Sequence, residues 1–313
     1  MRGKLSLKML GKVIKAEDCL VTTGVTEGID LAISALINPG ENIILPSPGY
    51  PVYISIANKI GIGAVEYNCV EENGWQPDLD DIKKKVNPKT RAIVVINPNN
   101  PTGALYDRKT LEEIIEIANE HNLVIFADEI YDRLVFDGKH IPIGSIAGDV
   151  PVLTFNGLSK NYLCPGWRIG WMIFSLGMEK YKQAVFQLAR ARLSSPTPFQ
   201  YAIATALENN SHLAEVNRKL KERGDYTYKR LNEIQGISCV KPKGAFYAFP
   251  KIETGIEDKK FVMGLLYKKH VLTVYGTGFG YDKPDHFRIV FLPDMEILKK
   301  AYDGIEEYIR ELK

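Results

Sequence analysis

The chain has 313 residues, enough for about two domains, and its balance of 45% hydrophobic and 25% charged residues is that of a folded globular protein. A net charge of +2 gives no footprint for nucleic acid, and no run approaches the ~18 apolar residues of a membrane span. Four cysteines without a C-x-x-C pair and five scattered histidines suggest neither a disulfide framework nor a zinc or other metal site, so reduced thiols in a cytoplasmic protein are expected.

The opening Met-Arg-Gly-Lys is basic, but no apolar stretch of a signal peptide follows it. Residues 19–22 predict a strand. Residues 27–36 follow as a helix with Ile29, Ala32, Ile33 and Leu36 at helical spacing, stopped by Asn38-Pro39-Gly40. Residues 42–45 read as a strand ended by Pro46 and Pro48, 51–58 as a helix, 63–67 as a strand and 78–85 as a short helix. The Lys83-Lys84-Lys85 run in that helix, preceded by Asp78, Asp80 and Asp81, reads as a solvated face. Residues 92–96 are continuously β-branched or apolar, as expected of a strand buried on both faces. A helix over 109–119 puts Leu111, Ile114, Ile115 and Ala118 on one side, and strands are predicted at 123–127, 150–155 and 169–174.

Strands alternating with helices point to an α/β fold with a mostly parallel sheet covered on both faces, which binds ligands beyond the carboxyl ends of its strands. From about residue 208 the pattern changes. A long charged helix over 212–233, strands at 238–240, 245–249, 271–274 and 287–291, and helices over 259–268 and 295–311 predict a smaller α+β domain with an antiparallel sheet. The expected division is 1–209 and 210–313, with no internal repeat.

Several residues at predicted strand ends could carry chemistry. Lys160, in Leu158-Ser159-Lys160, follows a buried strand. Alone it would be a solvated surface group, but Arg168 follows within Pro165-Gly166-Trp167-Arg168, and a lysine desolvated near cations becomes a usable amine nucleophile. Asp128 lies just past the strand 123–127, where it either faces the ligand crevice or caps a helix. Asn97-Pro98-Asn99-Asn100-Pro101-Thr102-Gly103 reads first as a turn, with Thr102 or Asp107 capping the next helix. Gly24, Val25 and Thr26 join a strand to a helix start, where backbone N–H groups form an anion site. Tyr50 closes the next strand, and alone would be a packing residue. Arg288, in an apolar strand, needs a partner: either a structural carboxylate or the carboxylate of a substrate. Gly276-Thr277-Gly278-Phe279-Gly280 lacks dinucleotide-fingerprint spacing and reads as a turn.

The stretches TTGVTEG, PSPGYPVY, INPNNPTGALY, ADEIYD, NGLSKNYLCPGWRIGW, PKGAFYAFP and HFRIVFLP, in this order and across nearly the whole chain, make it resemble the class I/II aminotransferases. Those enzymes have the pyridoxal-phosphate (PLP) transferase fold type I, and the likeness is greatest to their archaeal and bacterial alanine aminotransferase branch. The resemblance implies a large three-layer domain with a smaller α+β domain. It also implies PLP held by Lys160 as a Schiff base, and exchange of an amino group between alanine and 2-oxoglutarate in a homodimer. By the same resemblance Asp128 pairs with the cofactor's ring nitrogen, Tyr131 and Asn100 bond its phenolic oxygen, and Tyr50 stacks on its ring. Gly24, Val25, Thr26 and Arg168 take its phosphate, and Arg288 takes the substrate carboxylate.

Two departures stand out. Gly157 occupies a position where relatives often carry a phosphate-contacting serine, a role that Ser159 could take over. The family also carries several dozen residues before the segment matched by Asp18, so the chain reads as N-terminally shortened. The alternatives are a PLP-binding fragment without catalysis, or another reaction on this fold such as a β-lyase.

Overall fold

The structure is a computed structural model and describes residues 14–175 and 177–312. In chain order the elements begin with β1 (Cys19–Thr22), α1 (Val25–Leu36), β2 (Asn42–Ser47), α2 (Val52–Ile60), β3 (Gly63–Val70), β4 (Gln76–Pro77) and α3 (Leu79–Lys85). They continue with β5 (Thr90–Ile96), α4 (Arg108–Glu120), β6 (Val124–Asp128), β7 (Val152–Gly157), the short α5 (Leu158–Asn161), β8 (Gly170–Phe174), α6 (Glu179–Ala191) and α7 (Thr197–Glu208). The C-terminal part holds α8 (Ser211–Asn232), β9 (Ile237–Ser238), β10 (Tyr247–Ala248), β11 (Lys251–Ile252), α9 (Asp258–Lys269), β12 (Val274–Tyr275), β13 (Phe287–Val290) and α10 (Met295–Leu312).

The main sheet has the order β1-β8-β7-β6-β5-β2-β3-β4. Strands β7, β6, β5, β2 and β3 are parallel, whereas β8 runs against β7, β1 against β8 and β4 against β3. Side chains alternate between its two faces. Ile43, Leu45, Val94, Ile96, Phe126 and Phe155 meet Ile29, Ala32 and Ile33 of α1 and Tyr53 and Ala57 of α2. The alternate residues Ile44, Ile93, Val95, Ile125 and Ala127 meet Leu111, Ile114 and Ala118 of α4. This burial on both faces is why the strands read as unbroken apolar runs, and it yields three layers.

Capping fixes where α4 begins. Asp107 Oδ1 accepts from the Thr110 N–H at 2.8 Å, so Asp107 is the helix cap and Thr102 is not. Asp107→Ala is expected to cost about 1 kcal/mol, read as a lowered urea midpoint with an unchanged slope.

Beyond α7, β10, β13 and β12 form an antiparallel sheet, with Phe261, Leu265, Phe287, Tyr302 and Ile305 in the core of that region. Ile130, Tyr131 and Leu134, just after β6, are buried in the same core. The predicted antiparallel sheet is therefore present. Several details differ from the sequence expectations, among them the strand expected at 271–274, which is confined to Val274–Tyr275. Helices α6 and α7 were not anticipated, β8 and β1 break the parallel pattern, and Asp128 is the last residue of β6 rather than lying beyond it.

Candidate active site

The carboxyl ends of β1, β2, β5, β6 and β7 lie at one edge of the sheet. Because β8 runs the other way, its amino end reaches that same edge and delivers Arg168. The register places Thr22, Gly170 and Gly157 level across three neighbouring strands. At this edge lies a cavity of about 320 Å³, a volume suited to a small-molecule ligand. Val25, Thr26, Tyr50, Asn100, Asp128, Tyr131, Ser159, Lys160, Arg168 and Arg288 all line it. Of the residues singled out from sequence only Gly24 does not line the cavity, and it immediately precedes Val25 as the N-cap of α1, with φ of 77°.

Asp128 is 2% exposed. Its Oδ2 accepts from the Tyr53 hydroxyl at 3.1 Å and its Oδ1 from the Ile130 N–H at 3.3 Å. No helix follows it, so the helix-cap reading fails. Burial pushes its carboxyl up to about 6, opposed by the Ile130 N–H, the Tyr53 hydroxyl and the charge on Lys160. Lys160 sits in the single turn of α5. Its burial, then the charges of Arg288 and Arg168, push the amine below the usual lysine range, while Asp128 pulls the other way.

Arg288 has no carboxylate partner within ion-pair distance among the described residues. Its Nη1 donates to Asn100 Oδ1 at 3.0 Å, and its guanidinium carbon lies 4.6 Å from the ring centres of Tyr247 and Phe279. Its Nε is buried without an acceptor. The structural-carboxylate explanation therefore fails, and a partly buried cation faces the cavity with donor capacity to spare.

Glycines shape the opposite end. A Cβ on Gly170 would lie 2.6 Å from both Gly24 C and Val25 N, so only glycine lets the start of α1 close onto β8. A Cβ on Gly157 would lie 2.7 Å from Ile169 O, so no serine fits there without displacing backbone, whereas Ser159 lines the cavity. Arg168 stands beside them, donating to Pro165 O at 2.8 Å and to Thr23 O at 3.4 Å. Gly170→Ala is expected to weaken cofactor binding by at least about tenfold through the displaced helix start, measured by spectroscopic titration.

Sequence reasoning missed Tyr53, Tyr247 and Phe279. Tyr53 lies three residues after Tyr50, and that spacing could have signalled it. Tyr247 lines the cavity with its hydroxyl 2.9 Å from that of Tyr131, and Phe279 comes from the glycine-flanked turn, which folds as a short 3-10 helix.

The chain matches the family described as Aminotransferase class I and II over residues 4–305. It belongs to that family. Its cofactor is accordingly pyridoxal 5′-phosphate, and its reaction class is amino-group transfer. The chain is 44% identical to the glutamate-pyruvate aminotransferase of Escherichia coli over 308 residues, 95% of this chain and 76% of that protein. It is 39% identical to the alanine aminotransferase of Mycobacterium tuberculosis over 94% of this chain and 71% of that protein. Among solved structures, the alanine aminotransferase of Pyrococcus furiosus superposes with a TM-score of 0.96 at 49% identity, covering 99% of this chain and 80% of that one.

The cavity fits the cofactor. Lys160, Arg168 and Arg288 and the first amides of α1 face it against a single buried carboxylate, which suits a phosphate and a second anion. Asp128 stays ionised most readily beside a proton donor such as a protonated ring nitrogen.

Proposed function

We propose that this aminotransferase moves the amino group between alanine and 2-oxoglutarate, and that the residues gathered at the cavity divide the work as follows. The Val25 and Thr26 amides, Ser159 and Arg168 would hold the cofactor phosphate. Gly24 leaves room for this cradle: a Cβ there would lie 2.2 Å from Arg168 Nη2. Asp128 would accept a hydrogen bond from the protonated ring nitrogen, Tyr131 and Asn100 would donate to the phenolic oxygen, and Tyr50 would cover the ring. Burial keeps the Tyr131 phenol protonated and able to donate. When bound, the cofactor supplies an aldehyde that holds the amino group and a cationic ring that takes up electron density.

Lys160 Nζ is the amine that would capture that aldehyde. As a free base, Nζ would take the proton from the substrate Cα and return it on the other side of the transfer. Burial and the charges of Arg288 and Arg168 lower its pKa, which favours the free-base form that this task requires. Arg288 would grip the substrate carboxylate with its fork and so fix which Cα bond faces Lys160. The observation carrying this reading is the partly buried Arg288 with no carboxylate partner among the described residues, across the same cavity from Lys160.

The choice of alanine rests on the relatives named above. Comparing kcat/KM for alanine, aspartate and phenylalanine with 2-oxoglutarate tests it: alanine is expected to lead by at least about tenfold, and a lead for either rival would reverse the assignment. We further infer two units, residues 1–209 and 210–313, a cytoplasmic location and a homodimer. Cys69, Cys164 and Cys239, which form no disulfide, support the location. An exposed stacked pair, Trp167 on Phe199 at 5.6 Å, together with Leu193 at 88% exposure, supports pairing with a second copy.

A further inference from the structure

His286 lies two residues before Arg288 and is fully buried, far from solvent and outside the catalytic cavity. Its Nδ1 is 2.7 Å from Asp285 Oδ1, and its Nε2 is 3.2 Å from Glu71 Oε2. The second approach is off the hydrogen-bond axis, so the link to Glu71 is a close polar contact rather than a directed bond. Glu71 follows β3 at the outer side of the main sheet, whereas Asp285 leads into β13. The ring thus joins two parts of the chain that the sequence separates by more than two hundred residues.

Aromatic rings enclose this imidazole. Trp75 and Tyr281 meet it edge-on at 5.5 and 4.8 Å, and Phe249 stacks on it at 5.0 Å. Phe249 packs edge-on against Phe279 at 6.1 Å, and Phe279 is one of the two rings 4.6 Å from the Arg288 guanidinium. The backbone gives a second route. His286 O accepts from the Gly276 N–H at 2.8 Å, which sets the pairing of Val274 with Arg288 and of Tyr275 with Phe287. A Cβ on Gly276 would lie 2.7 Å from His286 O, so this closeness depends on glycine.

We propose that His286 is a positioning residue for Arg288. Clasped between Glu71 and Asp285, it fixes the start of β13 and the Phe249–Phe279 ring pair, and through both it sets the guanidinium for carboxylate binding. Substrate carboxylates in general, amino acid or 2-oxo acid, are the ligands it serves. The proposal rests on Arg288 being the carboxylate-binding group.

His286→Phe keeps a ring against Trp75, Phe249 and Tyr281 and removes both nitrogens. In the PLP-loaded protein, propionate serves as a carboxylate probe by calorimetry. The variant is expected to weaken propionate binding and raise KM for the amino acid by roughly tenfold each, with kcat within about twofold of the parent. In an Arg288→Lys background the same substitution is expected to add nothing, because the group it positions has gone. Unchanged propionate binding, a fall in kcat alone, or a full additional loss in the Arg288→Lys background would overturn the proposal. Arg288→Lys alone distinguishes the two levels: if it leaves propionate binding intact, the role of Arg288 falls and takes this inference with it. Glu71→Gln, a conservative change at a partly exposed position, carries the same test if His286→Phe does not fold.

Discussion

Lys160→Ala is expected to leave a folded protein whose turnover is lower by at least about 10⁴-fold, since it loses both the amine that captures the cofactor aldehyde and the base that moves the Cα proton. Two measurements check this. Borohydride treatment of the loaded parent should attach the cofactor irreversibly to one peptide containing Lys160, identified by mass spectrometry, and the variant should carry no such attachment. Reversible cofactor binding should survive, because the phosphate cradle at Val25, Thr26 and Arg168 does not include this side chain. Partial rescue of the proton transfer by an added small amine would support the division between capture and proton movement. A variant that kept covalent labelling would show that another lysine does the work.

Asp128→Asn is expected to separate stability from function. Burial raises the Asp128 carboxyl to about 6 from the ordinary 3.8. A carboxyl raised in this way binds its proton more tightly in the folded state. In the cofactor-free protein its ionisation therefore costs stability: the cost is nil below pH 4, grows as pH rises towards 6 and is complete above it. The full cost is about 3 kcal/mol. Cofactor-free Asp128→Asn should lose that pH dependence and be the more stable protein at pH 7, by urea unfolding. Its transaminase activity should fall by about 10²–10⁴-fold, because a neutral amide no longer favours a protonated ring nitrogen. Loss of stability at pH 7 in the cofactor-free variant would contradict the assigned environment.

Much of this site was legible because its residues sit where chain direction changes. Strands β5, β6 and β7 are continuous apolar runs, so their ends could be read, and Asn100, Asp128 and Lys160 fall at or just after those ends. What stayed hidden depends on tertiary contact. Strand direction is not written in an apolar run, so nothing in residues 169–174 showed that β8 is antiparallel, although that reversal is what delivers Arg168 to the cavity. The region of α6 and α7 gave no clear reading because few of its residues are deeply buried: Val185, Ala189 and Ile203 are the buried apolar ones in the two helices. Tyr53 and Tyr247 drew no reading from sequence, and their hydroxyl partners reveal their place in the site. Arg288 illustrates the gain from structure: its sequence context left a structural ion pair and ligand recognition both open, and the lack of a carboxylate beside it among the described residues removes the first.

A crystal structure of the protein with PLP tests the central arrangement most directly. The account predicts the phosphate on the Val25 and Thr26 amides and Arg168, the ring nitrogen against Asp128, and the aldehyde carbon joined to Lys160 Nζ, with Arg288 facing the open side. A cofactor bound with its phosphate towards Arg288, or seated away from Asp128, would contradict it.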